Sequence, residues 1–281
     1  MNQKMRILFF FLFTLSFSAC GKDKDYVVTI STRHGEIKAI LFDDAPEHKS
    51  NFLSLAEDGR FDSTQFHRVI QGFMVQGGDV FGKEGLPAQE WPTLPAEINR
   101  KHLHIKGMLA AARQGDNINP QKRSNGSQFY IVQGRTYEEL ELTTDFPALQ
   151  KAVFQFMQLE SQKQMKEDYS RLFAEGKMDS LTQLLLSKRD IIAKTLSVKL
   201  TKDYTPAQVK AYAEQGGTPH LDFEYTVFGQ VIQGLEVVDK IAAEKTAREV
   251  PLEPVLMKVT VEKMSRKKIE KEFGYVYPVE Q

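Results

Sequence analysis

Arg68 sits in a string that reads F-H-R-V-I-Q-G-F-M-V-Q-G-G-D, residues 66–79, and Gln76 lies further along the same string. A guanidinium stays charged and presents its N–H donors in a rigid fork; a glutamine amide both donates and accepts. Phe73 and Met74 stand between them. Neighbouring residues of a strand point to opposite faces, so these two cannot share one core unless the strand bends. That favours a site at an irregular edge. A second string, S-N-G-S-Q-F-Y-I-V at 124–132, adds Gln128 and Tyr130. Phe129 should face the other way, into a core. A third string, P-H-L-D-F-E-Y-T-V-F-G at 219–229, adds Leu221 and Tyr225. The chemistry open to this set is a fixed hydrogen-bond donor beside an apolar pocket. His102 and His104 alternate on an extended segment without a cluster of acids or cysteines beside them. Two such histidines do not make a metal site, and no metal or cofactor is expected.

Together and in this order, the three strings resemble the cyclophilin family of peptidyl-prolyl cis-trans isomerases. Residues 66–79 match its signature nearly letter for letter, and the resemblance spans about 26–135 and 219–263. It implies a mainly β (α+β) fold, a closed antiparallel eight-stranded barrel capped by two helices. It implies catalysis by Arg68, Gln76 and Phe73 on proline-containing polypeptide substrates. Met74, Ala112, Arg113, Gln128, Tyr130, Leu221 and Tyr225 would bind the substrate. His67 would be structural, and Gly72, Gly77 and Gly78 would serve backbone geometry.

The physics agrees with that assignment. An X-Pro bond rotates slowly because its C–N bond has partial double-bond character, with a barrier of about 18–20 kcal/mol. Rotation needs no nucleophile, metal or proton transfer, so His67 is not required as a base. In the twisted state the prolyl nitrogen gains a lone pair. A donor aimed there binds the twisted state better than either planar one, and each factor of ten in rate needs about 1.4 kcal/mol.

The sequence also departs from the family. His220 stands where eukaryotic members carry a tryptophan that contributes to cyclosporin binding, so tight drug binding is not expected. Tyr225 replaces a pocket histidine, Tyr130 a pocket phenylalanine, and Arg113 an asparagine of some members. Phe223 replaces the glycine of P-H-L-D-G. It either extends the substrate surface or packs on a neighbouring helical block, and packing is favoured.

The elements that must position these residues read as follows. Y-V-V-T-I-S-T and E-I-K-A-I-L-F flank His34-Gly35, a hairpin turn. Asp44 is placed to cap a helix with Pro46 near its start and Gly59 at its end. Short apolar runs and Gly-rich turns continue to Gln133. From Tyr137 to about Ala213 glycine and proline are scarce, and apolar residues have helical spacing. Thr205-Pro206 starts a short helix closed by Gly216-Gly217. Strand texture returns at Tyr225, a helix at 234–244, and an alternating strand at 255–261. The expected division is 26–135 and 219–265 for the isomerase domain, 136–218 for a helical insertion and 266–281 for a tail. The insertion is either a stabilising decoration or an arm that holds unfolded client chains. The competing function is a chaperone module that binds proline segments with little turnover. The intact Arg68, Phe73, Met74 and Gln76 favour the enzyme.

At 41% hydrophobic and 26% charged residues the composition is that of a globular protein. Its 37 basic and 37 acidic residues cancel, so no strong field draws it to nucleic acid. A monomer is expected. Lys4 and Arg6 precede the apolar run Ile7–Phe17, which is too short to span a bilayer and fits a signal peptide, 1–19. Cys20, the single cysteine, follows Ser18 and Ala19 as in a bacterial lipobox. That resemblance implies cleavage before Cys20, its acylation, and a lipidated tether at 20–25. A plain secretory signal is the alternative. Two or more acyl chains would anchor the protein stably. A bacterial envelope location follows, outer membrane favoured, with the face open.

Overall fold

The computed structural model describes residues 23–278. Strands β1 (Lys24–Thr32) and β2 (Gly35–Leu41) form the hairpin around His34-Gly35. β1 starts inside the stretch read as tether. Asp25 is buried there and held by Lys49 Nζ at 2.6 Å, so a strand pairing and an ion pair order it.

Helix α1 (Pro46–Glu57) follows, with Pro46 at its start. Asp44 does not cap it. Ala45 is the capping residue, without a side-chain bond. The Glu97 carboxylate, distant in sequence, accepts from the N–H groups of Glu47 and His48, each at 3.0 Å. Asp44 instead accepts from Asn99 Nδ2 at 2.8 Å and lies 2.9 Å from His102 Nε2. The orphan donors of the first turn are met by a tertiary acid rather than the local one.

The chain then runs through β3 (Thr64–Ile70), β4 (Met74–Gly77), the short α2 (Val80–Lys83), β5 (Thr93–Leu94), β6 (Met108–Ala111), β7 (Ser124–Asn125) and β8 (Phe129–Val132). Next come α3 (Glu139–Leu142), α4 (Phe146–Phe156), α5 (Lys163–Ala174), α6 (Met178–Leu196) and α7 (Pro206–Glu214). β9 (Val227–Gln233), α8 (Leu235–Ala242), the hairpin β10 (Thr246–Ala247) and β11 (Val250–Pro251), β12 (Leu256–Ser265) and α9 (Arg266–Phe273) complete it.

Eight strands close a barrel in the order β1-β12-β3-β4-β8-β6-β9-β2, every pairing antiparallel. Alternation sends Val28, Ile30, Ile37, Ala39, Leu109, Phe129 and Ile131 inward. Phe52 and Leu55 of α1 join this core near the end of β2. Val237, Val238 and Ile241 of α8 join it near the start of β2, where Val237 meets Gly35. The two helices thus cap opposite ends.

Helices α4, α5 and α6 share a separate core built on Leu149, Val153, Phe156, Leu181, Leu185 and Ile192. The block joins the barrel through a tight neck. Gly217 and Arg135 exchange backbone bonds, Thr218 N–H donates to His104 O at 2.8 Å, and Lys106 N–H donates to Gly216 O at 3.1 Å. The segment read as a tail carries α9, whose buried Ile269 packs with Val27, Ile40 and Met264, and Tyr275 and Tyr277 lie against them. No helix among the described residues is long and apolar enough to cross a membrane.

Candidate active site

The site lies on the outer face of β3, β4, β6 and β8. Its local cause is a β-bulge. Phe66 pairs with Gly77 and Arg68 with Gln76, leaving His67 as an extra residue. Phe66 and Val69 both face the core, and Arg68 is re-aimed outward beside Gln76. Gly72, at φ +76°, turns the chain before β4. Phe73 is therefore the last turn residue and Met74 the first of the strand. That bend lets both enter one outer cluster with Tyr130, Leu221 and Tyr225. Tyr130 and Phe129 take opposite faces of β8, Phe129 in the barrel core.

Asn125 builds the turn into β8: its Oδ1 accepts from the N–H groups of Ser127 and Gln128, each at 2.8 Å. Gln128 Oε1 then accepts from Gln76 Nε2 at 3.1 Å. Ala112 follows β6 and donates its N–H to Gln128 O at 3.0 Å. A short 3-10 turn at Pro219–Leu221 presents Leu221.

Together Arg68, Phe73, Met74, Gln76, Ala112, Arg113, Gln128, Tyr130, Leu221 and Tyr225 line one cleft of about 670 Å³. Cys20 lies outside the described residues. The cleft extends past the expected set to Trp91, Thr93, Ile118, Asn119 and Arg123. The sequence motifs do not mark these five; the pairing of β5 with β7 sets Thr93 opposite Asn125, and Arg123 Nε–H donates to Thr93 Oγ1 at 2.8 Å. The cleft is lined by three arginines and no carboxylate among the described residues.

Several side chains are already engaged. Arg113 is nearly buried, donates Nε–H to Glu224 O at 2.8 Å, and lies over the Tyr225 ring at 4.5 Å. These contacts fix its guanidinium at the cleft wall. His220 stacks on Phe73 at 5.3 Å, and burial lowers its pKa. The Arg100 guanidinium lies 5.0 Å from the Phe223 ring. The φ of Phe223 is +62°, the backbone region glycine favours, which accounts for glycine being the more usual residue.

One partner of Arg68 was hidden in the sequence. Its Nε–H donates to Glu249 Oε2 at 2.6 Å. Glu249 and Arg248 form the tip between β10 and β11, both at positive φ. Val69 N–H bonds Glu249 O at 2.7 Å and fixes that tip on β3. His102 and His104 have separate partners, Asp44 and Asp222.

The model of the family described as cyclophilin type peptidyl-prolyl cis-trans isomerase matches residues 27–165 and 192–262. The chain belongs to this family. The cyclophilin-type match runs into the helical block and omits the stretch 166–191 across α5 and α6. A Staphylococcus aureus (strain COL) protein named as a peptidyl-prolyl cis-trans isomerase is 30% identical, over 82% of this chain and 88% of that one. A Streptococcus pyogenes protein named as a bifunctional phosphatase and peptidyl-prolyl cis-trans isomerase is 31% identical over 82% of this chain; the match covers 37% of that protein. A crystal structure of a Cryptosporidium parvum cyclophilin-type isomerase aligns with TM-score 0.49 at 19% identity, covering 85% of this chain and 98% of that one. The activity of this cyclophilin is the cis-trans isomerisation of X-Pro peptide bonds.

Proposed function

We propose that the cleft is the isomerase active site and that this cyclophilin assists the folding of exported proteins at a bacterial envelope. The observation that carries the site is the convergence of Arg68 and Gln76 with the apolar Phe73, Met74, Tyr130 and Leu221 on one groove. Phe73, Met74 and Leu221 hold the proline ring. Gln76, coupled to Gln128, binds the substrate backbone. Arg68 points its remaining N–H donors at the prolyl nitrogen as the acyl side turns. The gain arises because the donor binds the twisted state more strongly than the planar ones.

Isomerisation of a short X-Pro peptide, compared between the full-length protein and Arg68→Ala, tests the assignment. Wild-type turnover no faster than buffer overturns the enzyme, and full activity in the variant overturns the role of Arg68. The envelope location rests on Cys20 and the apolar run before it.

A second reading concerns the helical block. Phe154 and Phe173 are more than half exposed and bracket Tyr169 in ring contact at 6.0 and 6.3 Å. Such a row favours an arm that holds client chains. Deleting 136–217 should then weaken suppression of client aggregation; unchanged suppression would sink it.

A further inference from the structure

Tyr212, on α7 of the helical block, is fully buried and donates its hydroxyl to Asp222 Oδ2 at 2.6 Å. Asp222 Oδ1 accepts from His104 N–H at 2.7 Å and lies 3.2 Å from His104 Nδ1. His104 Nε2 is 3.0 Å from the Tyr130 hydroxyl. One placement of protons satisfies the whole row: Nδ1–H donates to Asp222, and the Tyr130 O–H donates to Nε2. Burial raises the pKa of both tyrosines, the Asp222 charge adding to it, so both hydroxyls stay protonated. A buried carboxylate with three donors is compensated; with two it is not fully so.

Three walls of the proline pocket hang on this row. Tyr130 is its last member. Leu221 directly precedes Asp222, and Tyr225 follows it just beyond the positive-φ Phe223. The Tyr225 ring meets Tyr130 edge-on at 6.0 Å and His104 at 6.3 Å. The neck at Gly217 brings α7 to His104 from the other side.

We propose that Tyr212, Asp222 and His104 are positioning residues for the proline pocket, so that the helical insertion is a working part of the binding site. An apolar pocket binds best when its walls need no ordering on contact. Freeing them weakens ground and twisted states alike, which shows in KM and not in kcat.

The experiment is steady-state isomerisation of an X-Pro peptide by full-length Tyr212→Phe, which removes one oxygen and keeps the ring. KM should rise about fivefold while kcat holds within about twofold. Leu185→Ala, in the insertion's own core, controls for general loosening and should leave KM near wild type below its melting point. A wild-type KM in Tyr212→Phe overturns the proposal. So does an equal rise in Leu185→Ala. The inference rests on the cleft being the proline site: a peptide-inactive wild type sinks that reading, whereas an active Tyr212→Phe with unchanged KM sinks only this one.

Discussion

Arg68 is aimed by a bulge and braced by a carboxylate, and its contribution depends on geometry as much as charge. Arg68→Ala should lower kcat/KM by about 100-fold or more, the usual loss for one preorganised donor. Arg68→Lys keeps the charge and loses the fork, and should recover little of that activity in the same assay. Glu249→Gly isolates the brace. The ion pair is half exposed and worth at most about 1 kcal/mol, and glycine relieves the positive φ, so unfolding midpoints should barely move. Peptide turnover should nevertheless fall; unchanged turnover would show that Arg68 needs no brace. His67, the bulge residue, has its pKa lowered from 6.5, chiefly by burial. The unfolded chain then binds the extra proton, so the stability contributed is complete above the unfolded value and is lost as pH falls towards the folded one. His48 and His220 act in the same direction, also through burial. Melting temperature should therefore fall between about pH 7 and pH 5, and less steeply in His67→Gln.

Among the elements, the neck and the caps explain how distant pieces are registered. A Cβ on Gly217, at φ +150°, would lie 2.2 Å from the His104 carbonyl oxygen. Gly217→Ala should cost about 2–4 kcal/mol in denaturant unfolding. Gly176, at φ +68° with nothing within 4 Å of its Cβ, should cost only about 1 kcal/mol when changed to Ala. Equal costs would show that the neck tolerates the side chain. Helix α1 teaches the same lesson from the other side. The motif pointed to Asp44 as its cap, and a carboxylate from a loop fifty residues on, Glu97, took the place. Helix α7 starts where Thr205-Pro206 pointed, and the Thr205 and Gln208 side chains form a local capping box there.

At the scale of the whole molecule, a barrel with its site outside the core is joined to a helical block with a core of its own. The envelope reading is tested there: Cys20→Ser should move the protein from the membrane to the soluble fraction, and continued membrane retention would argue against lipidation.

The sequence by itself, through its resemblance to the cyclophilin family, determined the family, the closed barrel and ten of the residues that line the cleft. It also placed Phe129 inward and Tyr130 outward, since alternation is a local rule. Only the tertiary structure decided that Glu249 braces Arg68, that Arg100 lies on Phe223, that Trp91 and Arg123 extend the groove, and that Tyr212 reaches the pocket through Asp222 and His104. Each of these joins residues far apart in the chain. A contact of that kind leaves no period and no spacing; it exists only once the barrel has closed and the neck has brought α7 against it.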